Sequence, residues 1–415
     1  MKKLIGTVAV AALLATAAFA EGISFGSWGR GLFIVGNGKS ADHAGSNSVT
    51  SWIGQSWGGP SPRTALGVSG SSDNMGFNMD IHGNGDGLGM GDNALIWAKP
   101  VDAVKIVLAA KNDQNWLRND LAAYGLWGWD RLGVVGDVGE GFIFPSTLNK
   151  NLAVSVTPIE GLFIGFGFNT SFGNWSNTGA GPGNITEYSY DSGNRLIDQL
   201  GRTSAFAASY TLANIGTIKA GVQFQGKKYN KDGERKDRIE IDAAFEFNAI
   251  ETVKAAVGAK IPLIGNYNKD TLKIAGVDTT VYRTQPIELN LAANLNFIDN
   301  LTIHVVSGFK FNAPNANDLK QDGALGFMIG GGADYGFSNG LGVFADVRYA
   351  SNIYKSFSTA DKKDNLVFGA GVTKGFSNGV IGVAFEGSTN ANGRNDFVYD
   401  GDLAWEIPVK FEYWF

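Results

Sequence analysis

The stretch Asp402-Leu403-Ala404-Trp405-Glu406-Ile407-Pro408-Val409-Lys410-Phe411-Glu412-Tyr413-Trp414-Phe415 ends the chain in alternation. Leu403, Trp405, Ile407, Val409, Phe411, Tyr413 and Phe415 take the odd positions, while Asp402, Glu406, Lys410 and Glu412 fall on even ones. Successive side chains of a strand point to opposite faces, so this pattern makes one apolar and one polar face. The run is longer than the about five or six residues of a soluble strand and long enough for the about 9–11 that a tilted strand needs to cross a bilayer. Pro408 has no amide to donate, which predicts a bulge or an unpaired position there.

The same alternation recurs upstream. Ile239, Ile241, Ala243, Phe245 and Phe247 alternate with Arg238, Glu240, Asp242 and Glu246. Ile287, Leu289, Leu291, Ala293, Leu295 and Phe297 alternate with Glu288, Asn290, Asn294 and Asn296. Residues 301–311, 325–337 and 341–349 repeat it. One or two such strands would suit a sandwich core, but not this many with polar faces this long.

Short turns separate the strands at 71–74, 100–103, 158–161, 213–215, 249–251, 298–300, 338–340 and 377–379, built from the Gly, Asn, Asp and Ser residues of tight hairpins. Longer polar stretches alternate with them, at about 36–63, 83–91, 112–150, 170–202, 227–236, 262–280, 313–323, 355–364 and 390–401. Eight short turns and nine long loops join eighteen antiparallel strands, within a range of sixteen to twenty, with both termini on the short-turn side. With the apolar parity outward, Phe247, Phe297, Phe337 and Phe376 form one aromatic row before the short turns, and Phe168, Phe224, Phe311 and Tyr349 form another at the far ends. Lys374 falls on the outward face, two residues before Phe376, where it can reach the headgroup level.

Overall hydropathy hides all of this. The 415 residues are 44% hydrophobic and 18% charged, as in a soluble protein, because lipid-facing and water-facing positions cancel. The 58 glycines give about twice the usual share of about 7%, and many take inward parity, as at Gly326, Gly330, Gly332 and Gly336. The absence of cysteine excludes disulfides, thiolate metal sites and thiol nucleophiles. Residues 1–20 have the order of a signal peptide: Lys2 and Lys3, an apolar run from Leu4 to Leu14, and Ala18-Phe19-Ala20, with cleavage expected after Ala20. Without the leader, 32 basic residues face 39 acidic ones, a balance that offers no footprint for nucleic acid.

Signal peptide, alternating strands, short turns against long loops and a terminal aromatic together resemble the bacterial outer-membrane porins over residues 21–415. That resemblance implies an outer-membrane β-barrel, in contact with outer-membrane lipid, that forms a water-filled channel for passive diffusion of ions and small hydrophilic solutes. It also implies a homotrimer as the expected assembly, and a third loop that folds inward to narrow the pore. Here the third loop, 112–150, is the longest and carries Asp130, Arg131, Asp137 and Glu140 as candidate constriction residues. A solvated surface loop and an extra wall hairpin are the alternatives. Parity places Lys105, Lys219, Arg238, Lys254, Lys260, Lys310, Arg348 and Lys410 in the lumen with Glu240, Asp242, Glu246, Glu288, Asp334, Asp346, Glu386, Glu406 and Glu412, a mixed field that predicts weak selectivity, slightly toward cations if the third loop faces the lumen. Trp116, Trp127 and Trp129 share the third loop and could stack sugars, as in sugar-selective members of the class, or simply pack the loop. A surface adhesin or antigen anchored by a barrel is a further reading.

Catalysis and cofactors find little support. Gly38-Lys39-Ser40 matches the end of a P-loop, but Phe33 stands where its first glycine belongs. The alternating glycines at 83–91, with Asp86 and Asp92, hold too few acids for calcium and read as a tight loop. His304 and Ser307 have opposite parity on one strand and cannot form a nucleophile–base pair. The expectation is a non-enzyme without a cofactor or metal.

Overall fold

The computed structural model describes residues 22–39, 52–54, 62–84, 87–112, 150–169, 200, 203–224, 239–264, 268–274, 277–283, 286–314, 322–351, 364–389 and 404–415. Their strands are β1 (Ile23–Lys39), β2 (Trp52–Gly54), β3 (Arg63–Ser71), β4 (Met75–Asn84), β5 (Gly87–Val101), β6 (Val104–Lys111) and β7 (Leu152–Ile159). Next come β8 (Leu162–Phe168), β9 (Ala205–Leu212), β10 (Gly216–Phe224), β11 (Ile239–Ile250), β12 (Val253–Ile264), β13 (Asn268–Ile274) and β14 (Val277–Arg283). The series ends with β15 (Ile287–Ile298), β16 (Leu301–Pro314), β17 (Asp322–Gly336), β18 (Leu341–Ala350), β19 (Asn365–Phe376), β20 (Gly379–Ser388) and β21 (Ala404–Trp414).

Each wall strand pairs antiparallel with its neighbours, and β21 pairs with β1 from Trp28↔Trp414 to Lys39↔Ala404, which closes the sheet. Backbone hydrogen bonds between Ser27 and Phe415 extend this seam to the last residue, so the start of β1 and the end of β21 lie on the short-turn side. β2 and β3 pair with successive parts of β1 and share one place in the wall, which makes eighteen wall strands. β13 and β14 form a separate hairpin within the stretch read from sequence as one irregular loop.

All eight short turns lie where the turn chemistry places them. Asn214 (φ 62°), Asn300 (φ 64°), Gly161 (φ 79°) and Gly340 (φ 80°) supply the left-handed residues that tight reversals need. Pro408 has the predicted effect: the register of β1 slips between Ile34 and Gly36, opposite Pro408 and Ile407, leaving Val35 as the bulged residue.

The expectation of a loop at 83–91 is corrected. β4 and β5 pair through it, with His82↔Gly89 and Asn84↔Gly87. Glycine reads as loop in a sequence, but here Gly87, Gly89 and Gly91 belong to a ladder, and at Gly91 the missing side chain makes room for a neighbour. A Cβ on Gly91 would stand 2.5 Å from the His82 ring. Gly91, Asp92 and Asn93 form a bulge opposite Asp80, and the Asp80 carboxylate accepts from the Asn93 backbone amide (3.0 Å) and its Nδ2 (3.1 Å).

Strand parity sets the two faces. Ile96, Leu108, Phe206, Ile218, Ile329, Val347, Val372, Ile381 and Phe411 are among the large apolar side chains exposed on the outside. A soluble monomer rarely exposes contiguous apolar patches beyond a few hundred Å². Two aromatic belts bound this surface. At the long-loop end Phe206 contacts Phe166 (centroids 4.8 Å apart) and Phe224 (6.3 Å), and Phe385 lies between Phe368 and Trp405. At the short-turn end Tyr335 meets Phe337 and Tyr413 meets Phe415. Phe168 keeps outward register but is buried, with its ring centroid 5.8 Å from that of Phe166. Phe368 and Phe376 share one face of β19, about 26 Å apart along the strand and about 20 Å apart in height at a tilt of about 40°. Lys374 lies outward and reaches the short-turn rim, where its Nζ donates to the Asn339 carbonyl.

The lumen wall as candidate functional site

The lumen charges read from parity take inward register, except Arg238, which lies outside the described residues. On β10–β12, Lys219 pairs with Glu246, and Lys260 reaches Glu240 at 3.4 Å while lying opposite Asp242. Glu288 on β15 stands between Lys260 of β12 and Lys310 of β16. Asp346 and Arg348 follow on β18. Lys254 opposes Asn294 at the short-turn mouth and is exposed.

Inward glycines have a specific use here. Gly326 lies opposite Lys310, Gly330 opposite Arg348, and Gly332 between His304 and Asp346. A missing side chain on one strand gives room for a long charged one on the next. Between β15 and β17, His304 is held by Asn294 Oδ1 (2.9 Å to Nδ1) and by the Asp334 carboxylate at Nε2. Ser307 faces outward among Leu291, Ala293 and Val305, so the two cannot act together.

At the seam Lys410 and Glu412, both on the inward parity of the last strand, meet Arg30, which parity did not single out. Arg30 donates from Nε to Glu412 (3.1 Å), and Lys410 Nζ lies 2.8 Å from the same carboxylate. Further round, the Arg63 guanidinium donates to His82 Nδ1 and lies 3.4 Å from Asp92, which Lys111 approaches to 3.8 Å. Trp28 lies beneath this group, edge to face with His82 and 5.4 Å from the Arg63 guanidinium carbon. The bulges at Val35 and at 91–93 shift parity within their strands, and the glycines around the second removed the strand signal. Only the position of the bulge at 91–93 could have revealed the group of Arg63, His82, Asp92 and Lys111 from sequence.

The inward face is not wholly charged. Leu32 and Ile34 of β1 join Phe344 of β18 and Ala384 of β20 in one buried apolar cluster. Val306, Met328, Ala350 and Val367 form another on the same face. Arg348 is 1% exposed and Glu386 and Glu406 are 0% exposed. An eighteen-strand wall has a backbone radius of roughly 18 Å, too wide for such side chains to be buried by contact across the lumen.

The ends of the third loop are fixed together. Asn112 Nδ2 donates to the Lys150 carbonyl (2.9 Å), and the Ala109 amide donates to the Asn151 carbonyl (2.8 Å), so the loop leaves and rejoins the wall at one point. Burial pushes the Lys150 ammonium below the usual lysine range. Trp116, Trp127, Trp129, Asp130, Arg131, Asp137 and Glu140 lie outside the described residues, as do residues 1–20.

A closed antiparallel barrel with an apolar, aromatic-belted exterior and a charged interior defines a transmembrane β-barrel of the outer-membrane type. No family model matches the chain, and no curated protein matches it. Solved structures similar to it include Pseudomonas putida OprB, with 11% identity, TM-score 0.48 and 96% of each chain covered. Another is a loop-deletion mutant of OmpT, an outer membrane protein of Vibrio cholerae, with 12% identity, TM-score 0.46, and 95% of this chain and 99% of that one covered. A third is a mutant of Rh. blastica porin, with 11% identity, TM-score 0.45, and 94% and 100% covered.

Proposed function

We propose that the protein is an outer-membrane porin, a channel through which ions and small hydrophilic solutes diffuse passively. The observation that carries this reading is the division of faces: the outside is apolar at nearly every strand position, while the inside presents ion pairs that only an aqueous or polar environment would hold. Selectivity follows from the wall charges Lys105, Lys219, Lys254, Lys260, Lys310, Arg348 and Lys410 with Glu240, Asp242, Glu246, Glu288, Asp334, Asp346, Glu386, Glu406 and Glu412, whose near balance favours a weakly selective pore. Asp130, Arg131, Asp137 and Glu140 set the constriction if the third loop enters the lumen. Trp116, Trp127 and Trp129 would offer sugar-stacking faces in the same place. Reconstitution of the purified protein in a planar bilayer tests the reading, which requires stepwise conductance.

One observation favours a second reading. Apolar clusters on the inward wall and the burial of Arg348, Glu386 and Glu406 suit a barrel that is occluded and serves as an anchor for surface loops that bind other proteins. An occluded anchor gives no conductance steps, so the same experiment separates the two.

A further inference from the structure

At the short-turn mouth, away from the ion pairs described above, three lumen-facing side chains converge. Trp97 of β5 projects inward, its indole backed by the buried cluster Leu95, Val107, Ala109 and Ala153. The ring lies over Gly76 of β4, where a Cβ would stand 2.6 Å from it. Lys99 Nζ lies 5.6 Å from the ring centroid and Lys105 Nζ lies 5.4 Å from it.

The two lysines belong to adjacent strands of one hairpin. β5 and β6 pair at Ala98↔Ile106 and at Val101↔Val104, and the register breaks between these pairs, at the level of Lys99 and Lys105. Like charges facing each other across a strand pair destabilise it. The negative face of an indole attracts a cation, but it is not a counter-ion for Lys99. Among the described residues no carboxylate forms an ion pair with Lys99. The arrangement is complementary to a compact anion: two ammonium groups able to donate charge-assisted hydrogen bonds to one oxyanion, on a rigid aromatic floor.

We propose that Lys99, Lys105 and Trp97 form an oxyanion-binding site in the lumen, which takes the phosphate or carboxylate group of a small anionic solute at the short-turn mouth. The transport role rests on the channel reading; the binding does not. Its position gives the pore a polarity that the balanced charges of the wall lack. The site would hold anions at the short-turn mouth.

Inorganic phosphate is the probe. Calorimetric titration of the detergent-solubilised full chain should give saturable phosphate binding. Lys99→Gln and Lys105→Gln should each weaken it about ten-fold, the loss expected for one charge-assisted hydrogen bond, and the double variant should abolish it. Lys254→Gln, at the same mouth but remote from Trp97, should leave it unchanged. Heat-modifiable gel mobility identifies folded barrels in every case. In bilayers, phosphate from one compartment should reduce current at lower concentration than from the other, and the double variant should lose this asymmetry. Equal phosphate binding by the parent and the double variant, or none by the parent, overturns the site. Absence of conductance steps overturns the channel reading and leaves the calorimetric test of the site standing.

Discussion

Glu386 of β20 lies directly opposite Glu406 of β21, both facing the lumen and both fully buried. Like charges directly opposed across a strand pair are unfavourable, and burial raises the cost because neither charge keeps its hydration. Two carboxylates so placed share one proton more readily than they both ionise. Glu406→Gln keeps the shape and keeps a donor toward Glu386 at every pH. We expect the variant to be more stable than the parent by about 1 kcal/mol in alkaline buffer, read from the urea midpoint of unfolding, and close to the parent at neutral pH. Equal or lower stability of the variant in alkaline buffer would remove this account of the pair.

The apolar strip on the lumen wall depends on a glycine. A Cβ on Gly371 would stand 2.6 Å from both the Phe344 ring and the Val383 carbonyl oxygen, and the backbone oxygen cannot turn aside. Gly371→Ala should cost about 1–3 kcal/mol of stability. Gly336→Ala, with nothing within 4 Å of the added carbon, should stay within about 0.5 kcal/mol. Parallel urea unfolding of the two variants provides the comparison.

At the seam, Arg30 is buried and bonded to Glu412, which also receives Lys410. Arg30→Met leaves Glu412 with one cation in place of two and should lower barrel stability by about 3 kcal/mol, the range for breaking a buried pair from one side. Arg30→Lys should recover only part of this, since an ammonium cannot make the two-nitrogen contact. Full recovery by lysine would mean that charge alone holds the seam.

Ion selectivity tests the lumen field. With wall charges of both signs in near balance, the reversal potential in a salt gradient should lie close to zero, slightly on the cation side. Lys254→Glu, at an exposed position on the lumen wall, should move it further toward cations. Asp137→Asn combined with Glu140→Gln should move it toward anions if the third loop enters the pore. Strong anion preference in the parent would refute the balanced-wall reading.

Sugar recognition has its own assay. An oligosaccharide that blocks current in the parent and fails to block the Trp127→Ala and Trp129→Ala variants would assign those rings to a sugar path. No block in the parent removes the idea.

The sequence by itself determined the elements and their faces. Period-two alternation is a local property, written in each strand by which side chains avoid water, and turn chemistry is local as well. The alternation at 404–415 and 239–247 and the turns at 298–300 and 338–340 therefore stand in the structure where they were read, and Pro408 marked its own bulge. Tertiary structure decided what depends on two strands at once. Register between strands fixed which charges meet: Glu412 with Arg30 across the seam, His82 with Arg63, Glu386 against Glu406. It turned Gly87, Gly89 and Gly91 from loop into ladder, because their pairing partner is the neighbouring strand β4, whose His82 and Asp80 side chains also fill the space at Gly91. It also placed Lys99 and Lys105 about one indole. Each strand records only its own alternation; the partner across the ladder is chosen by closure of the whole barrel.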